Sequence, residues 1–219
     1  HGIEVRRGRT FHWEGRYGHD PNQRETIRTD LNVFGDFRPV LPASYRAPDI
    51  LFLANIDPDL HDDILTQLER PALVAMDTIK HWIANKTETI WRTMDKVDIL
   101  FVNDEEVRLL TGEDNLVRGA KRILASGPKL RVGEKGEQGA VAFRSDFVFG
   151  VLGRLTDCVV DPTGAGDAFA GGFLLGFVEI FVAAWFPSTL RDLIGFSILL
   201  IFLSFKPTGI FGIARATKI

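Results

Sequence analysis

Residues 161–173 read Asp-Pro-Thr-Gly-Ala-Gly-Asp-Ala-Phe-Ala-Gly-Gly-Phe. Two carboxylates bracket a glycine-rich turn, and a run of small apolar residues follows. Pro162 fixes φ and lacks an N–H, which suits an entry turn. Gly164 and Gly166 admit backbone angles closed to other residues and let a ligand approach closely. Ala165 to Gly172 can then start a helix, whose N-terminus offers free N–H groups and the positive end of a dipole to phosphate. Asp167 falls in that first turn. A carboxylate beside a phosphoryl group repels it unless its task is to accept a proton. A bare Gly-x-Gly-Asp equally describes a capped helix start with glycines for tight packing.

Two other stretches carry chemistry of a related kind. Asn103-Asp104-Glu105-Glu106 sits at an expected strand-to-helix junction. Its oxygens suit a hard cation that keeps several waters. The same residues also make an N-cap with acids favouring the helix dipole. Gly133-Glu134-Lys135-Gly136-Glu137-Gln138-Gly139 has the glycine content of a phosphate loop, or of a β-turn between strands. Asp77 ends an apolar run, where it can touch a ligand or cap a helix. His12, His19, His61 and His81 lack metal-ligand spacing and read as packing or solvated residues. Phe11, Trp13 and Tyr17 can cover a sugar or base, or pack among themselves.

The stretch Asp161–Phe173 closely resembles the C-terminal signature of the ribokinase/PfkB family of sugar and nucleoside kinases, D-T-x-G-A-G-D-x-F. The resemblance implies that Asp167 is the catalytic base and that Gly164, Ala165 and Gly166 form an anion hole. Asp161 and Thr163 then belong to the cofactor-binding turn, although a purely structural role for Asp161 remains open. Asn103 and Glu106 resemble the family's N-x-x-E motif, in which the Glu helps place Mg²⁺ through water. Gly136 and Gly139 match its nucleotide-loop G-x-x-G. The phosphate-facing position there falls on Glu134 or Lys135; an acid would repel ATP, so Lys135 is the better candidate.

By the same resemblance the cofactors are ATP and Mg²⁺, and the acceptor is a hydroxyl of a small sugar or nucleoside. A small β lid covers the acceptor; because a two-stranded ribbon is marginal alone, it must lean on the main domain or pair with a second copy as a homodimer. The resemblance runs from about Thr10 to Phe173. The family's acceptor-binding Asp and Gly-Gly motif precede the lid and have no counterpart in this chain, and residues 186–219 do not match the family's adenine-side elements. The alternative is therefore a catalytically incomplete fragment that binds nucleotide or pairs with another subunit.

These residues need a scaffold, and the chain supplies the pattern of one. Residues 10–17 and 25–34 have partial alternation around an Asp20-Pro21-Asn22 turn and predict a two-stranded ribbon. From residue 49 onward short apolar runs alternate with helical spacing. Strands are expected at 50–54, 72–76 and 99–102, with helices at 60–68, 82–94, 104–110 and 116–125. A possible strand at 130–132 precedes an antiparallel pair at 140–143 and 147–151. The expected fold is α/β and ribokinase-like: a mostly parallel sheet flanked by helices, with a small β lid. Ligands then sit at the carboxyl ends of the strands, where Asp77 and Asn103 fall. The expected division is a leading segment 1–9, a lid at 10–38 and a nucleotide-binding body at 39–219.

Composition narrows the classes further. The chain has 219 residues, 45% hydrophobic and 25% charged, which is globular rather than disordered. A net charge of −3 gives no basic footprint for nucleic acid. The single cysteine, Cys158, excludes an internal disulfide and fits a reducing, cytoplasmic setting. Residues 1–7 lack an apolar signal core, and the absent initiator Met suggests a processed or partial product. The apolar runs at 173–186 and 195–205 fall short of the ~18–20 residues that span a bilayer and read as helices buried on the sheet.

Overall fold

The computed structural model describes residues 5–18, 24–154, 159, 161 and 163–185. Expectations on His19, the 19–22 turn, Cys158, Pro162 and residues 186–219 lie outside the described residues. The chain forms two compact units, His1–Thr163 and Gly164–Ile219.

The first unit begins with a ribbon. Strands β1 (His12–Tyr17) and β2 (Arg24–Asp30) pair antiparallel, with an irregularity between Glu14 and Gly15. Trp13 causes the close fit there: its ring lies over Gly15, where a Cβ would come within 2.2 Å of it. The indole Nε1 donates to Thr26 Oγ1 across the ribbon at 3.3 Å. Phe11 meets Phe34 edge-on at 6.2 Å, and Phe34 stacks on Phe37 at 5.8 Å. The ribbon aromatics Phe11 and Trp13 are thus engaged in local packing. The second strand is shorter than the 25–34 run expected: it stops at Asp30, and Asn32–Phe34 is a 3₁₀ turn. Asn32 takes φ +50, a left-handed angle that Asn tolerates better than most residues, and this ends the strand.

The body of this unit is one six-stranded sheet in the order β3 (Ile50–Leu53), β4 (Leu73–Asp77), β5 (Ile99–Phe101), β6 (Leu130–Glu134), β7 (Ala140–Phe143), β8 (Val148–Val151). β3 to β6 are parallel, and β7 and β8 add as antiparallel hairpins. The expected α/β class and mostly parallel sheet are therefore present. The crossovers are α1 (Pro58–Gln67), the pair α2 (Lys80–Asn85) and α3 (Thr87–Met94), and the pair α4 (Asp104–Thr111) and α5 (Leu116–Leu124).

Local chemistry sets these boundaries. Asp57 caps α1 by accepting from the Asp59 N–H at 3.1 Å, with Pro58 in the first turn. Asn115 caps α5 by accepting from Val117 and Arg118 N–H. The 82–94 stretch is two helices, not the single one its apolar spacing suggests. Lys86 breaks it at φ −139, ψ 39, outside helical angles. Its ammonium reaches Asp57 and Asp59, each at 2.6 Å, so the break ties α3 to the head of α1.

The core lies where the parallel strands meet the helices. Met76, Ile90, Met94, Leu100, Val107 and Ile123 are fully buried. Burying each such side chain is worth about 1.5–3 kcal/mol. His61 of α1 is also buried, with Nε2 2.8 Å from the Ala54 carbonyl oxygen and Nδ1 unpartnered. Burial depresses its pKa below 6.5, against the Ala54 bond and the charges of Asp57 and Asp62. The folded state therefore binds this proton less readily than the unfolded chain. The stability that follows is present above pH 6.5 and is lost as pH falls below it. Thermal melts at pH 7.5 and 5.5 should show a lower Tm at the acid end, with a shallower slope in His61→Gln; an equal slope in the variant would refute the assignment.

In the second unit, α6 (Ala165–Trp185) is the element described. Ala170 is buried, while Leu175, Phe177 and Ile180 are exposed. Among the described residues no helix is long and apolar enough to cross a membrane.

Candidate active site

Because β4, β5 and β6 are parallel and in register, their carboxyl ends share one edge of the sheet. That edge brings together Asp77, the 103–106 junction and the 133–139 loop. Asn103 and Glu106 form a complete capping box. Asn103 Oδ1 accepts from the Glu106 N–H at 2.9 Å, and Glu106 Oε2 accepts from the Asn103 N–H at 2.9 Å. The helix-cap role weighed from sequence is thus physically present.

The box is also electrostatically unusual. Glu106 is only 7% exposed, and burial pushes its carboxyl up to about 7. The bonds from Asn103 and the charge of Lys80 pull it down, and the charge of Glu134 pushes it up again. A carboxylate short of compensating positive charge fits a cation nearby. Among the described residues no group of three or more His, Cys, Asp or Glu side chains could cage a metal. The oxygen donors of Asn103 and Glu106 are of the kind a hard cation takes, directly or through water.

The loop after β6 is tightly closed. Lys135 N–H donates to the Gly139 carbonyl at 2.8 Å, Gln138 N–H to Lys135 at 3.1 Å, and Gly139 N–H to Gly136 at 3.2 Å. Gly139 has φ +108, and a Cβ on it would lie 2.0 Å from the Val151 oxygen. That glycine is required by the hairpin itself, whatever the loop binds. Lys135 Nζ stands 3.7 Å from Asp104 Oδ2, so the ammonium leans toward the head of α4. The charge of Glu134 is felt at Glu106.

At the glycine-rich turn, Asp161 Oδ1 accepts from the Thr163 N–H at 2.9 Å. Hydrogen bonding to Thr163 holds the Asp161 carboxyl below its usual range. Asp161 thus shapes the turn. Thr163 Oγ1 is 2.9 Å from the Tyr17 hydroxyl at the end of β1. Nothing in the spacing of residues 17 and 163 signals this contact; only the fold brings the ribbon to the turn.

In the second unit, Gly164 takes φ +80, and its carbonyl accepts from the Ala168 N–H at 2.9 Å. Ala165, Gly166 and Asp167 are the first three residues of α6, whose leading N–H groups lack intrahelical acceptors. The Asp167 side chain is exposed. The structure therefore brings Asn103, Glu106, Lys135, Gly136 and Gly139 to one edge of the first unit. Gly164, Ala165, Gly166 and Asp167 lead into and open α6 in the second.

A parallel sheet with helical crossovers, a separate β ribbon and a glycine-rich turn opening a helix define the fold of ribokinase-like kinases. Solved structures share that fold. An adenosine kinase from Sinorhizobium meliloti superposes with a TM-score of 0.61 at 20% identity, covering 72% of this chain and 51% of that one. A Burkholderia thailandensis nucleoside kinase in complex with inosine gives 0.58 at 18% identity, covering 86% and 62%. The model of the pfkB family carbohydrate kinases matches residues 40–196, and the chain belongs to that family. A cytidine kinase of Thermococcus kodakarensis is 27% identical over 180 residues, which are 80% of this chain and 64% of that protein. Fructokinase-2 of Zea mays is 37% identical over 92 residues, 42% of this chain and 26% of that protein. The chain thus spans less than two thirds of the length of these curated relatives.

Proposed function

We propose that this protein transfers the γ-phosphoryl group of ATP to a hydroxyl of a sugar or nucleoside. The observation that carries the reading is the start of α6 in the second unit, with Gly164 at φ +80 before it and Asp167 in its first turn, in a sequence stretch that resembles the family signature. Asp167 takes the proton from the attacking hydroxyl. The N–H groups of Gly164, Ala165 and Gly166 stabilise charge on the phosphoryl oxygens, and positioning and electrostatics do most of the work in this reaction. Mg²⁺, when bound, neutralises phosphate charge. Glu106 orients its waters, with Asn103 fixing the Glu106 carboxylate. Lys135 meets the polyphosphate at the loop bounded by Gly136 and Gly139, and Asp161 and Thr163 hold the turn in shape.

Acceptor- and Mg²⁺-dependent ADP formation tests this. The panel begins with cytidine, adenosine and inosine, because the nucleoside-kinase likenesses cover more of this chain than the fructokinase one. Fructose and ribose follow. ATP binding with no turnover on any acceptor would support the alternative, a catalytically incomplete chain that binds nucleotide or pairs with another subunit. The cytoplasm, where ATP is available, is a compartment compatible with this reading.

The ribbon is the proposed dimerisation element. A two-stranded ribbon is marginal alone, and this one leaves Phe11, Ile27 and Leu31 exposed at 45%, 48% and 37%. Light scattering should give twice the chain mass, reduced to one chain by Ile27→Lys. A monomeric wild type would rule the dimer out.

A further inference from the structure

β6 carries a buried arginine between half-buried Leu130 and buried Val132. The Arg131 side chain is 0% exposed. Its Nη2 donates to the Val102 carbonyl at 2.7 Å, one residue before the Asn103 cap. The guanidinium lies 5.4 Å from the Phe143 ring centre and directly over Gly133, where a Cβ would fall 2.3 Å from Nη2. Its Nε and Nη1 have no hydrogen-bond partner. Asp104, the first residue of α4, faces this group with Oδ1 at 3.7 Å and faces Lys135 Nζ with Oδ2 at 3.7 Å. One carboxylate therefore stands between a buried cation beneath it and a partly exposed cation at the mouth of the loop.

This arrangement is hard to explain as a stability device. A buried ion pair is usually no better for stability than apolar residues of the same volume. Here it also occupies the space over Gly133. Its effect is geometric: it couples the head of α4, which carries Asn103 and Glu106, to the loop that carries Lys135.

We propose that Arg131 and Asp104 are positioning residues for the nucleotide loop. Arg131 anchors the Asp104 carboxylate at the head of α4, and Asp104 holds Lys135 at the loop mouth, ready for a nucleotide polyphosphate. An arriving phosphate takes over Lys135, while Arg131 keeps the Asp104 carboxylate from following it. The proposal rests on the reading of this chain as an ATP-dependent phosphotransferase.

The test uses the full chain and two variants. Asp104→Asn removes the middle of the clamp. Arg131→Met with Asp104→Asn removes both buried charges together, which keeps the variant folded if the single change destabilises it. Calorimetry measures ATP and adenosine affinity. Amide exchange at Lys135, Gln138 and Gly139, measured without nucleotide, reports the loop itself. In the folded variant the three amides should exchange about tenfold faster, and ATP should bind about tenfold more weakly while adenosine affinity is unchanged. Unchanged exchange, or an equal loss for ATP and adenosine, would overturn the pair as positioning residues. A wild type that binds neither ligand would defeat the kinase reading instead. The exchange result alone then decides the clamp: faster exchange upholds it, and unchanged exchange overturns it.

Discussion

Asp167→Asn should remove phosphoryl transfer while leaving the protein folded and able to bind ATP. Asn keeps the shape of the side chain and one acceptor oxygen but cannot take a proton at neutral pH. General-base assistance is typically worth about 10²–10⁴-fold, so kcat should fall by at least that range. Asp167 lies exposed in the first turn of α6, where losing an acid weakens the helix only slightly. KM for ATP should change little, because the phosphate-binding N–H groups belong to the backbone. Circular dichroism and melting of the variant separate loss of chemistry from loss of fold. Full activity in a folded Asp167→Asn would assign the base elsewhere.

The second large effect concerns stability and differs between breaking one buried ion pair and removing it whole. Asp104→Asn leaves the buried Arg131 without its nearest carboxylate and should destabilise the fold by about 3 kcal/mol. Burial already lowers the Arg131 pKa to about 10, with Asp104 working against the shift, which marks how poorly hydrated the guanidinium is. Arg131→Met combined with Asp104→Asn removes both charges of the pair and should be close to neutral. Denaturant melts of the two variants measure the asymmetry. Equal costs would show that the pair acts as an ordinary ion pair rather than as a compensated buried cation.

Much of the fold was legible because its strands announce themselves. Leu73–Asp77 and Ile99–Phe101 are buried on both faces and read as continuous apolar runs. The misplaced boundaries have local causes that no periodicity records. The apolar spacing from Trp82 to Met94 fits one helix, yet Lys86 leaves helical angles to reach two aspartates on a distant element. The strand ending at Asp30 is cut short by a single left-handed Asn32.

The candidate site divides in the same way. The 161–167 stretch and the Asn103–Glu106 pair could be singled out from sequence because their residues lie within a few positions of one another. Arg131 could not, since an arginine in an apolar strand gives no hint of the glycine beneath it or the aspartate beside it. The same holds for Tyr17, whose contact with Thr163 spans most of the chain. Even the loop glycines have a double explanation, because Gly139 is demanded by the Val151 carbonyl as much as by any phosphate.

The most direct test is to identify the phosphorylated product. Purified protein, ATP and Mg²⁺ are incubated with each nucleoside and sugar, and the acceptor is analysed by mass spectrometry. The account predicts a phosphorylated acceptor that appears only when ATP and Mg²⁺ are both present and disappears with Asp167→Asn. ATP hydrolysis with every acceptor recovered unmodified, or product formation undiminished in Asp167→Asn, would contradict it.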